Sequence, residues 1–72
     1  MIMALAMVPC GETRTIIDFR AKEDIKRHLQ DIGFVKGAKV QVINENESGL
    51  ILLIKDVRIA LNRGLASKII VE

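Results

Sequence analysis

Two glycines set what this chain can fold into, because Gly33 closes a helical hydrophobic period and Gly37 opens an extended one. Upstream, Ile25, Leu29 and Ile32 fall at i, i+4 and i+7, which places branched apolar side chains on one helix stripe while Lys26, Arg27 and Gln30 face away. An amphipathic helix over about residues 22–32 follows. Glycine at 33 suits a left-handed helix ending, and Phe34 beside it is placed to fold back onto Leu29, the apolar contact of a Schellman motif. Beyond Gly37, Lys39-Val40-Gln41-Val42 alternates polar and apolar residues at the spacing of a half-buried strand.

A chain of 72 residues makes one domain, 1–72, and buries only about 60% of its unfolded surface, so its core must be dense. Half of its residues are hydrophobic, and with 2 Phe and no Trp or Tyr the core is aliphatic and branched, a composition that favours pleated sheet. One cysteine excludes an internal disulfide framework and fits a reducing compartment. Eleven basic residues against nine acidic ones give a net charge of +2, a small excess for a dedicated nucleic-acid binder. The apolar run from Met1 to Val8 is far shorter than the roughly 20 residues of a membrane helix and lacks the basic start of a signal peptide. A soluble, cytoplasmic protein with no membrane span is expected.

Along the chain, Met3 to Val8 reads as a short helical turn laying Leu5 and Val8 on the sheet, and Pro9-Cys10-Gly11 as a turn. Glu12 to Phe19 reads as a strand of imperfect period. Four more strand candidates follow the helix: Lys39–Ile43, Leu50–Ile54, Val57–Leu61 and Lys68–Val71. The polar stretch Asn44 to Gly49 is expected to be a mobile hairpin loop, too long for a two-residue turn. Lys55-Asp56 is expected to be a tight hairpin turn, and Asn62 to Ser67 a helical turn before the last strand. About five strands in so short a chain favour a mainly β, SH3-like barrel with one α-helix, since closure shields sheet edges.

The same residues carry a resemblance. Leu5, Val8, Gly11 and Glu12, then Leu29, Ile32, Gly33, Phe34 and Gly37, and finally Ile59-Ala60-Leu61, Leu65-Ala66 and Ile69-Ile70-Val71 form a pattern similar to that of ferrous iron transport protein A, the FeoA family. Cys10 and Lys36 stand where that family commonly has proline, and Asp56 where it has glycine. The resemblance implies an SH3-like barrel serving bacterial ferrous iron uptake by binding the cytoplasmic side of FeoB, a permease with a GTPase domain. Stimulating hydrolysis, promoting assembly and gating are the open modes of action. The same barrel forms the C-terminal domain of DtxR-type repressors, so a metal-responsive regulatory module is the alternative.

Few residues offer chemistry of their own. Cys10 has no base near it in sequence, since the one histidine, His28, lies on the helix, and no enzyme activity is expected. His28 neighbours Ile25 and Ile32 at helical spacing and is expected at the edge of the apolar stripe. Asp24, His28 and Asp31 on adjoining turns are the candidate ligands for ferrous iron or another divalent metal, whose donors they match. Neither glycine begins a phosphate loop, because the lysine-serine/threonine ending is missing. Lys22, Lys26 and Arg27, beside Arg20, are the candidate partner-binding cations on the outer helix face, and the Asn44–Gly49 loop is the other contact candidate. Proline-peptide and nucleic-acid binding both rely on exposed aromatics, and two Phe supply few.

Overall fold

A computed structural model describes residues 1–72. The chain runs β1 (Met3–Ala4), a 3₁₀ turn (Leu5–Met7), β2 (Thr13–Phe19), α1 (Glu23–Ile32), β3 (Lys39–Asn46), β4 (Gly49–Ile54), β5 (Val57–Asn62), α2 (Arg63–Ala66) and β6 (Ile69–Val71). All strands pair antiparallel in the order β1-β6-β2-β3-β4-β5. This is an SH3-like, mainly β fold with six strands rather than about five. The added strand is β1, whose two residues pair Met3 with Val71 and Ala4 with Ile70. Two residues carry no readable period; the helical turn expected over Met3 to Val8 forms only over Leu5–Met7, and Leu5 and Val8 do bury as anticipated.

β2 belongs to both halves of the sheet. Thr13–Thr15 pair with β3, whereas Ile16–Phe19 pair with β6 through a register shift between Ile16 and Asp18. A bulge places one extra residue on the strand, which is why its hydrophobic alternation looks imperfect in sequence. Ile16 and Phe19 both turn into the core as a result.

The helix ends as its sequence demands. Phe34 N–H donates to Leu29 C=O at 3.0 Å and Gly33 N–H to Gln30 C=O at 3.1 Å, the paired bonds of a Schellman motif, with Gly33 at φ 129°. Leu29 and Phe34, both fully buried, join one fifteen-residue apolar cluster with Val40, Leu52 and Ile69. Lys22 at the N-cap makes no side-chain bond to the helix, while Glu23 and Asp24 occupy the first turn, where the helix dipole favours carboxylates.

The Asn44–Gly49 stretch corrects its expectation. β3 runs to Asn46, Asn46 pairs with Gly49, and only Glu47 and Ser48 remain as the turn. The Asn46 side chain accepts from Ser48 N–H at 2.9 Å and Gly49 N–H at 3.1 Å, so the polar residues organise a tight turn instead of a loose loop. Gly49 lies so close to β5 that an added Cβ would sit 2.3 Å from Leu61 O and 2.8 Å from Asn62 Cα. The Gly49→Ala protein should lose about 1–3 kcal/mol of stability through this overlap with backbone. Urea denaturation checks it: an unchanged midpoint would mean that the β4–β5 ladder yields without cost.

Candidate functional site

Helix α1 offers the face expected to meet a partner. Leu29 is buried and Ile25 and Ile32 pack against the core, so the opposite side of the helix turns outward. Lys22 and Arg27 are exposed and Lys26 half-buried. Helical spacing divides these three cations between two stripes. Lys22 and Lys26 lie four apart on one, while Arg27 shares its stripe with Glu23 and Asp31, four residues away on either side. The three ion pairs of the molecule, Arg14–Glu12, Lys36–Asp18 and Arg63–Glu45, engage none of Arg20, Lys22, Lys26 and Arg27.

Asp18 links this face to the sheet. Its Oδ1 accepts from Phe19 N–H at 2.8 Å and lies 3.8 Å from Lys36 Nζ. The Phe19 hydrogen bond is the main cause that holds its carboxyl below the usual 3.8; desolvation, next in size, opposes it, and the charges of Lys36 and then Lys26 add smaller lowering effects. A lowered folded value means that whatever stability this carboxylate adds is present above pH 3.8 and is lost as pH falls through the folded value.

The candidate metal residues Asp24, His28 and Asp31 are all exposed, His28 included, so it stands clear of the apolar edge where its spacing had put it. They share one stripe of α1, but Asp24 and Asp31 are seven residues apart, about 10 Å along a helix axis. That is beyond the span of one ion's first coordination sphere. No three His, Cys, Asp or Glu side chains gather anywhere in the fold in an arrangement able to hold a metal ion. Asp24 Oδ1 instead accepts from Ile25 N–H at 2.9 Å within the first helical turn. Cys10 is exposed and unpaired in the turn before β2.

One feature of the surface had no signal in the sequence. β5 forms an outer edge of the sheet, with Val57 55% exposed and Arg58 and Ala60 facing outward. Strand position within a sheet depends on pairing, which a local period does not encode. No helix is long and apolar enough to cross a membrane.

The family model described as the FeoA domain matches residues 3–72. Among solved structures, the iron uptake regulatory protein FeoA superposes with a TM-score of 0.93 at 24% identity, covering 100% of this chain and 96% of that one. FeoA of Stenotrophomonas maltophilia complexed with zinc, described as a procaryotic SH3 domain protein, gives 0.77 at 28% identity over 97% and 89% of the two chains. A manganese-dependent transcriptional repressor in complex with manganese gives 0.90 at 20% identity over 99% of this chain and 36% of its own, a likeness of fold alone. No curated protein matches the chain.

The surroundings of Asp18 lead to one test. Followed by NMR, the Asp18 carboxyl should titrate with a midpoint below 3.8, and Lys36→Ala should move it upward. A midpoint at or above 3.8 in the unsubstituted protein would contradict the arrangement.

Proposed function

Because the chain belongs to the FeoA domain family, as the match over residues 3–72 shows, we propose that it is a cytoplasmic accessory of ferrous iron uptake that acts on the FeoB permease by contact. The family match carries this reading, since it spans nearly the whole chain and includes every element of the fold. Ferrous iron is then the cargo of the partner, and GTP hydrolysis belongs to the partner as well. On this reading the protein contributes a surface and no catalytic group.

The surface proposed to meet the permease is the flank of α1 that carries Lys22 and Lys26, continued by Arg27 on its outward side. Lys22 and Lys26, with Arg20 just before the helix, present cations that no carboxylate of this chain pairs, and Arg27 adds a fourth within reach of Glu23 and Asp31. Charges of this kind steer association with an acidic surface and suppress wrong orientations more than they add affinity. The Schellman ending and the burial of Leu29 fix the helix on the sheet, so the cations are presented at little ordering cost. The likeness to the manganese-dependent repressor lies in the fold alone.

The test is to reverse Lys26 and Arg27 together to Glu and measure binding to the purified cytoplasmic region of FeoB. The expected outcome is weaker association, with the loss concentrated in the on-rate and diminished at high salt, in a protein that still unfolds cooperatively after a small fall in melting temperature from the new like-charge neighbours Glu23, Asp31 and Asp18. Binding unaffected by the double reversal would remove α1 from the interface.

A further inference from the structure

We infer that the free edge of β5 is an acceptor for an added β-strand, and that its occupant is an extended acidic segment of a protein partner. The register of the β4–β5 hairpin supplies the first argument. Lys55 and Asp56 both have positive φ, 50° and 64°, the two-residue turn in which the flanking residues Ile54 and Val57 exchange hydrogen bonds. In an antiparallel ladder such pairs alternate with non-bonded ones, so Leu52/Ile59 and Leu50/Leu61 are bonded while Leu53/Arg58 and Ile51/Ala60 are not. Arg58 and Ala60 therefore turn their N–H and C=O groups away from β4. β5 has no strand on its other side, and no turn, loop or cap hydrogen bond reaches either residue.

Length and side chains make the edge selective. The other end of the sheet is β1, only two residues long, whereas β5 offers six. Arg58 and Ala60 project from the same outward face as Ile51 and Leu53, their ladder partners. A hollow of ≈ 220 Å³ opens beside Ala60, between the Asn46–Ser48 turn and the paired ends of β4 and β5 at Gly49–Ile51 and Ala60–Asn62. An apolar side chain opposite Ala60 would lean over that hollow. Two residues along the added strand, on the same face, a carboxylate would meet Arg58, which forms no ion pair within the chain.

Charge decides between occupants. β5 and its turn carry Lys55 and Arg58 against Asp56 alone, so two copies of this chain would meet with like net charge along the seam. An acidic strand meets complementary charge, while main-chain bonds supply affinity and the alternate side chains supply choice. This surface lies apart from α1 in sequence and role, and the inference stands whether or not α1 meets the permease.

The experiment titrates the isotope-labelled full chain with a blocked peptide of sequence Glu-Thr-Val-Thr-Glu-Thr-Val-Thr and follows amide shifts and hydrogen exchange. The Arg58 and Ala60 amides should shift and become slow to exchange. The peptide with lysine for glutamate should bind about fivefold more weakly, the size of one good cross-strand pair. Arg58→Glu should reverse that order, and Ala60→Pro, which removes an outward N–H without touching the β4 ladder, should abolish binding. The charge reversal at Arg58 decides the matter if the proline variant fails to fold. The inference is overturned by absence of binding at millimolar peptide, by shifts lying away from β5, by equal affinity for the two peptides, or by concentration-dependent pairing of β5 with a second copy.

Discussion

The corner between α1 and β3 holds the molecule together. Gly33 at φ 129° allows Phe34 to bond back to Leu29, and Phe34 then drops fully into the core. Three residues later Gly37 N–H donates to Ile16 C=O at 2.8 Å, and Ile16 N–H donates to Ala38 C=O at 2.9 Å. Ile16 is where β2 passes from one half of the sheet to the other. The helix ending, the bulged strand and the start of β3 are thus tied at one point. A non-glycine residue at 33 would strain the backbone there even though open space surrounds it.

With the corner fixed, the rest of the sheet packs around an apolar core that contains no polar side chain and leaves none unsatisfied. A core of this sort offers little room for chemistry, and the charged groups all lie outside it. What the shell presents to a partner is then its surface: the charged residues of α1 on one element and an unpaired strand edge on another. Both are rigidly held, and both are complete before any partner arrives, which lowers the cost of association.

Much of this was legible in the sequence, and the reasons are local. The helix, its glycine ending, the Lys55-Asp56 turn and the helical turn before β6 each follow from side-chain spacing or backbone preference within a few residues. The FeoA pattern was legible for the same reason, since its glycines and apolar positions are those that build the corner and the strands. What was missed depends on pairing across the chain. β1 is a strand only because β6 lies beside it, and Asn44–Asn46 extend β3 only because β4 continues opposite them. The separation of Asp24 from Asp31 was implicit in helix geometry, whereas the exposure of His28 depended on how α1 rolls against the sheet. The free edge of β5 could be seen only once all six strands had been placed.

Native-state hydrogen exchange tests most directly whether the corner governs the fold. The amides of Gly33, Phe34, Gly37 and Ile16 should exchange only through global unfolding, with the same free energy as the core of β4 and the same dependence on denaturant. Exchange of these four amides through local opening, as fast as that of the Glu47–Ser48 turn, would show that α1 detaches independently of the sheet and would contradict the account.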